Sequence, residues 1–135
     1  MNEGPSSQTA TKQKRVMLIE DDEFLWRAYK DGLTRAGLGL SVVTDGGEAV
    51  DKVREVMPDL ILLDLILPGK DGFEILSELM KDADLKGIPV LVLSNLGQSQ
   101  DIKRALDLGA VDYLVKTNTS MREVLAKVKV CLGSS

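Results

Sequence analysis

Two kinds of hydrophobic block alternate along this chain. Short unbroken apolar runs occur at Val16-Met17-Leu18-Ile19, Leu60-Ile61-Leu62-Leu63 and Val90-Leu91-Val92-Leu93. Runs of this length, bounded by turn residues, suit strands buried on both faces. They predict strands over 15–19, 59–63 and 88–93, and weaker runs predict two more over 39–44 and 111–115. Between them, apolar residues recur three and four positions apart, the spacing of one helix face. The first such stripe is Phe24, Leu25, Ala28, Tyr29, Leu33 and Ala36, and the second is Ala49, Val50, Val53, Val56 and Met57. Phe73, Leu76, Leu79 and Met80 form the third, and Ile102, Ala105 and Leu106 the fourth. Met121, Val124, Leu125, Val128 and Leu132 form the last, with Cys131 beside it. Gly37, Asp45-Gly46-Gly47, Pro58 and Gly109 supply the stops. Ser120 and Glu123 have capping-box spacing. Five strand–helix alternations with short loops predict an α/β domain, a (βα)5 parallel sheet with helices on both faces.

Length and composition narrow this reading. The chain has 135 residues, 44% apolar and 28% charged, which fits one ordinary globular domain. Residues 1–14, drawn largely from Gly, Pro, Ser, Thr and Gln, read as a flexible tail; 15–132 read as the domain and 133–135 as a frayed end. The tail has no apolar core of a signal peptide, and no stretch suits a membrane span, so the expected location is cytoplasmic. That makes the Asn118-Thr119-Ser120 sequon a chance match. A net charge of −4 without a basic block argues against direct nucleic-acid binding by this chain. Cys131, the single cysteine, excludes an internal disulfide and reads as a small apolar residue of the last helix. The chain has no histidine, which excludes a His-ligated metal site, a Ser-His-Asp triad and a Cys-His pair.

The candidate chemistry lies where the strands end. In an open parallel sheet, ligands bind outside the carboxyl ends of the strands. Those ends carry Glu20 and Asp21, Asp64, Ser94 and Lys116. Acidic residues in a first helical turn suit the helix dipole and account for Asp22 and Glu23. Glu20 and Asp21 lie on the strand side of the turn, where that account fails. Three carboxylates brought together repel by roughly 4 kcal/mol per pair at about 4 Å and an effective dielectric near 20. One ammonium cannot offset three carboxylates, whereas an added divalent ion can. Oxygen donors select a hard ion, Mg²⁺ first and Mn²⁺ as the alternative. A carboxylate held between such an ion and a lysine is a candidate nucleophile toward a phosphoryl group, with Ser94 as a further donor.

Taken together, Met17-Leu18-Ile19-Glu20-Asp21-Asp22, Asp64 through Gly72, Leu93-Ser94 and Ala105 through Lys116 resemble the receiver domain of two-component response regulators. The resemblance implies a doubly wound, flavodoxin-like sheet of order 2-1-3-4-5. It implies that Asp64 accepts a phosphoryl group from a phosphohistidine on a sensor histidine kinase or phosphotransfer protein. Asp21, Asp64 and the main-chain carbonyl of Ile66 would then ligate Mg²⁺, with Glu20 acting through water. Ser94 and Lys116 would hold phosphoryl oxygens, and Tyr113 would be the switch aromatic. The chain would be a signalling switch rather than an enzyme. Its output would be the face of the fourth helix, fifth strand and fifth helix, offered to a downstream effector or to a second copy in a homodimer.

Four positions depart from that family. Thr117 follows Lys116 where a cis proline is usual, and a trans bond is expected because a cis bond before a non-proline costs about 2.5–4 kcal/mol. Asn95 replaces a small residue and narrows access for phosphodonors. Ile66 and Leu96 are apolar at positions where polar side chains help place the hydrolytic water, so slow loss of phosphate is expected. Two other classes stay open at this point: a docking domain that does not depend on phosphorylation, and an aspartyl-phosphate phosphatase. The second would want an acid at the position Ile66 occupies.

Overall fold

A computed structural model describes residues 13–133. The apolar runs form strands β1 (Arg15–Ile19), β2 (Gly39–Val43), β3 (Leu60–Leu63), β4 (Val90–Ser94) and β5 (Asp112–Val115). The amphipathic stretches form helices α1 (Glu23–Arg35), α2 (Ala49–Val56), α3 (Gly72–Lys81), α4 (Ser99–Leu108) and α5 (Met121–Cys131). Each strand is followed by a helix, so the chain crosses back before every new strand and all pairings are parallel. The order is β2-β1-β3-β4-β5, as the resemblance implies.

The two-residue period of the strands divides the core into two layers. Met17, Ile19, Ile61, Leu63, Val90 and Val92 face α2, α3 and α4, where Ala49, Val53, Phe73, Leu76, Leu79 and Ala105 meet them. Val16, Leu18, Leu60, Leu62, Leu91 and Leu93 face α1 and α5, against Tyr29, Leu33, Val124 and Val128. All four β3 side chains are fully buried, each contributing about 2 kcal/mol relative to exposure. That stability holds the ends of β1, β3 and β4 at one level.

Helix starts follow the capping signals. Asp22, Asp71 and Ser120 accept bonds from Leu25, Phe73 and Glu123 amides, and Ser120 completes a reciprocal capping box with Glu123. Pro58 bars its predecessor from helical geometry, and Met57 closes α2 in the left-handed region at φ +50°. β4 begins after Pro89, which has no N–H for the ladder, two residues later than the apolar run suggests.

Several stripe residues prove exposed: Phe24, Ala28 and Ala36 on α1, Met57 just past the end of α2, and Leu106 on α4. Phe24 is 82% exposed, because the buried face of α1 runs through Leu25, Tyr29 and Leu33, and Phe24 lies a third of a turn away. Leu106 is likewise exposed while Ala105 is buried. Most of the tail (1–12) and residues 134–135 lie outside the described residues. Gln13 and Lys14, expected in the tail, already bond to Gly37 and Gly39 beside β2. Among the described residues no helix is long and apolar enough to cross a membrane.

Candidate functional site

The sheet register builds the site. Ile19 pairs with Leu63, and Leu63 with Val92, so the next residues emerge along one edge. Backbone bonds continue the ladder past the strand ends: the Glu20 amide donates to the Val43 carbonyl and the Asp64 amide to the Ile19 carbonyl, each at 3.0 Å. Among the described residues, the buried polar or charged ones are Glu20, Asp64 and Ser94, all three at strand ends. A stable fold tolerates such groups only when they are paired.

Lys116 provides the pairing. Its ammonium donates to Glu20 and, at 3.1 Å, to Asp64, with all three side chains under a tenth exposed. The remaining acceptors are met locally, since the Asp22 amide donates to Glu20 and the Ile66 amide to Asp64, each at 3.2 Å. Burial alone would lower the Lys116 ammonium, but the Glu20 bond and the Asp64 charge hold it above its ordinary value. Burial pushes the Glu20 carboxyl up, against the pull of the Lys116 bond. Asp21 completes the group from the exposed rim: Glu20, Asp21 and Asp64 each offer an oxygen within 4.8 Å of the others. One ammonium against three carboxylates leaves two negative charges uncompensated around one cleft. The donors are oxygens, their charge excess is two, and the cleft is open to solvent at Asp21, so the residues fit a hard divalent cation.

The cleft has a volume of about 300 Å³, and its walls include Leu25, Ile66 and Asn95 besides the charged groups. Ile66 is 56% exposed, so the position two beyond Asp64 is an alkyl group at the rim. Asn95 is exposed on the wall of the cleft. Ser94 is fully buried and does not line the cleft; its hydroxyl is only 3.4 Å from the Leu96 amide. Tyr113, on edge strand β5, lies with its ring in the core, and its hydroxyl donates to the Leu96 carbonyl in the loop after Ser94. Burial raises the Tyr113 phenol above its ordinary value. The structure therefore brings Glu20, Asp21, Asp64, Ile66 and Lys116 together, with Ser94 and Tyr113 beneath them. The Lys116–Thr117 bond is trans, as expected; no peptide bond among the described residues is cis.

Close backbone packing fixes the loop that leaves β3. A Cβ on Gly72 would strike Leu65 and lie 2.6 Å from the Asp64 carbonyl, so glycine lets α3 begin directly under the site. Gly69, at φ +85°, sits against the Asp45 carboxylate, and the Gly46 amide donates to the Pro68 carbonyl at 2.9 Å. Sequence reasoning passed over this interlock, reading Asp45-Gly46-Gly47 as a turn alone. The glycines on both loops were the available signal.

Comparison with known proteins bears on the family and the fold. A family model, the response regulator receiver domain, matches residues 16–129. The DNA-binding dual master transcriptional regulator RpaA of Synechocystis is 38% identical over 118 residues, covering 87% of this chain and 48% of that protein. The phosphorylated cyanobacterial phytochrome response regulator RcpA has 35% identity and a TM-score of 0.77, covering 87% of this chain and 90% of that one. The Mn²⁺-bound form of response regulator Rcp1 has 32% identity and a TM-score of 0.71, covering 89% and 90%. The chain spans about half the length of the curated relatives it matches.

Proposed function

This chain belongs to the response regulator receiver domain family, a class of two-component signalling switches rather than classical enzymes, and on that premise we propose that Asp64 is its phosphoacceptor. The observation that carries the proposal is Asp64 itself, nearly buried, 3.1 Å from the Lys116 ammonium and sharing a cleft with two further carboxylates.

An Asp64 carboxylate oxygen forms the new P–O bond while the P–N bond of a phosphohistidine on a partner kinase breaks. The leaving imidazole keeps the electron pair and takes a proton from water. Lys116 balances negative charge on a transferring oxygen, the kind of electrostatic role that lowers a barrier by several kcal/mol where the donor itself is buried. Asp21, Asp64 and the Ile66 carbonyl would hold Mg²⁺, or Mn²⁺ as in the Rcp1 relative, with Glu20 acting through water. The bound ion supplies charge neutralisation and alignment of the phosphoryl oxygens. Phosphate uptake from acetyl phosphate should therefore need the ion. Intact-mass measurement should show one added phosphate with Mg²⁺ and none with a chelator. Equal uptake in both would contradict the reading.

The signal then passes through Ser94 and Tyr113. Ser94 reaches a phosphoryl oxygen only by moving toward the cleft, and the loop after it is bonded to the Tyr113 hydroxyl. New charge-assisted bonds are of the size needed to bias such a two-state element. The output face is α4, β5 and α5, presented to an effector or to a second copy. Its charges are largely paired within the chain: Lys103 with Asp107 at 2.8 Å, Lys127 with Asp112 at 2.7 Å, and Glu123 in the α5 cap. Arg104 lies over the Phe73 ring at 4.0 Å. Less charge is thus free to recognise a second copy than the sequence alone suggests.

The alkyl side chains of Ile66 and Leu96 leave no group at either position to orient an attacking water. The phosphorylated chain should lose phosphate slowly, and Ile66→Asn/Leu96→Glu should lose it about tenfold to a hundredfold faster. Intact-mass decay after removal of the donor checks this, and equal decay in both proteins contradicts it.

A further inference from the structure

We infer that Thr119 is a positioning residue for Lys116, an inference that rests on the phosphoacceptor reading of Asp64. A lysine side chain has four rotatable bonds and is held in one place only if its backbone is fixed and its ammonium is paired. The pairing is with Glu20 and Asp64. The backbone is a different matter. Among the described residues β5 is an edge strand with β4 as its one strand neighbour, and its last pairing is Ser94 with Val115. Lys116 is therefore the first residue beyond the sheet, at the start of a single 3₁₀ turn over Lys116–Asn118. Thr117 and Asn118 are exposed, and Thr117 brings no ring to fix the backbone.

Thr119 closes this turn twice. Its hydroxyl donates to the Val115 carbonyl at 2.8 Å, and its amide donates to the Lys116 carbonyl at 3.3 Å. The two bonds span Lys116 from both sides. The next residue, Ser120, is anchored by the α5 capping box, so Thr119 joins a fixed helix start to a fixed strand end. The amide bond survives any substitution except proline. The hydroxyl bond is the side chain's own contribution, and it fixes the peptide immediately before Lys116. Without it the 3₁₀ turn can relax outward, and the ammonium loses its aim between Glu20 and Asp64.

The test compares Thr119→Val, Thr119→Ala and Thr119→Ser with the unmodified chain and Lys116→Ala. The readouts are the initial rate of phosphate uptake from acetyl phosphate at saturating Mg²⁺, the Mg²⁺ affinity by calorimetry, and the thermal midpoint. Thr119→Val and Thr119→Ala should be about tenfold slower, though no slower than Lys116→Ala, because misplaced catalytic groups cost rate steeply. Their Mg²⁺ affinity should not weaken, since Lys116 is not a ligand, and Thr119→Ser should restore the rate. A merely structural role would weaken Mg²⁺ binding and the thermal midpoint in step with the rate; that outcome overturns the inference. So does uptake at the unmodified rate in Thr119→Val and Thr119→Ala. An unmodified chain that takes up no phosphate overturns the phosphoacceptor reading and this inference with it.

Discussion

Asp64→Asn should take up no phosphate from acetyl phosphate and Mg²⁺, while the unmodified chain should take up one. The substitution removes the charge and nucleophilicity of one oxygen and changes almost nothing in volume. Asn can still accept from the Ile66 amide, which now donates to Asp64 at 3.2 Å. The Lys116 ammonium keeps Glu20 as its partner. The fold therefore survives, and loss of uptake reports chemistry rather than unfolding. Mg²⁺ affinity should fall as well, because one of three clustered carboxylate oxygens becomes neutral. Circular dichroism checks the fold and intact mass checks the uptake. Phosphate gained equally by Asp64→Asn would place the acceptor elsewhere.

Lys116→Ala should be slow to phosphorylate and unstable without metal, and Mg²⁺ should repair only the second defect. The ammonium is the sole cation bonded to Glu20 and Asp64 among the described residues, and the three side chains are buried together. Removing one partner of such a group leaves uncompensated buried charge, at a cost of about 3 kcal/mol. A divalent ion that binds only the folded chain then restores stability by mass action, about 2.7 kcal/mol at a hundredfold excess over its dissociation constant. The ion also binds more tightly once the neighbouring positive charge is gone. It cannot replace the donor aimed at Asp64, so uptake stays about a hundredfold slower. Urea unfolding in chelator and in Mg²⁺ separates the two effects. A stability loss of the same size in both conditions would show that Lys116 is not there to balance the carboxylates.

Much of this was legible in the sequence, because strand ends and turn residues are local signals. Asp64 stands out as a charge closing an unbroken apolar run, and the pooling of Glu20, Asp21, Asp64 and Lys116 follows from all strands pointing one way. The strand order was not derivable from periodicity, since any helix crossover can reach more than one neighbour; it came with the resemblance. Spacing puts Phe24, Met57 and Leu106 in apolar stripes, yet all three are exposed, because spacing counts apolar residues without knowing where the sheet ends. Ser94 and Tyr113 were identified, but their burial beneath the cleft, and the Tyr113 bond to Leu96, depend on packing across β4 and β5. The Asp45–Gly69 interlock and the Thr119 clasp join residues whose partners are set by the tertiary fold or by one side-chain rotamer. Hydrophobic patterning carries no record of either.

Chemical mapping tests the proposal that the acidic cleft readies one carboxylate among three, and it reads out which one. Borohydride reduces an aspartyl phosphate to homoserine, so the phosphorylated chain can be reduced, digested and sequenced by mass spectrometry. Homoserine in place of Asp64, only in samples that contained Mg²⁺, is the predicted result; the label at Asp21, at Glu20 as its reduced counterpart, or nowhere in a chain that has gained phosphate would contradict it.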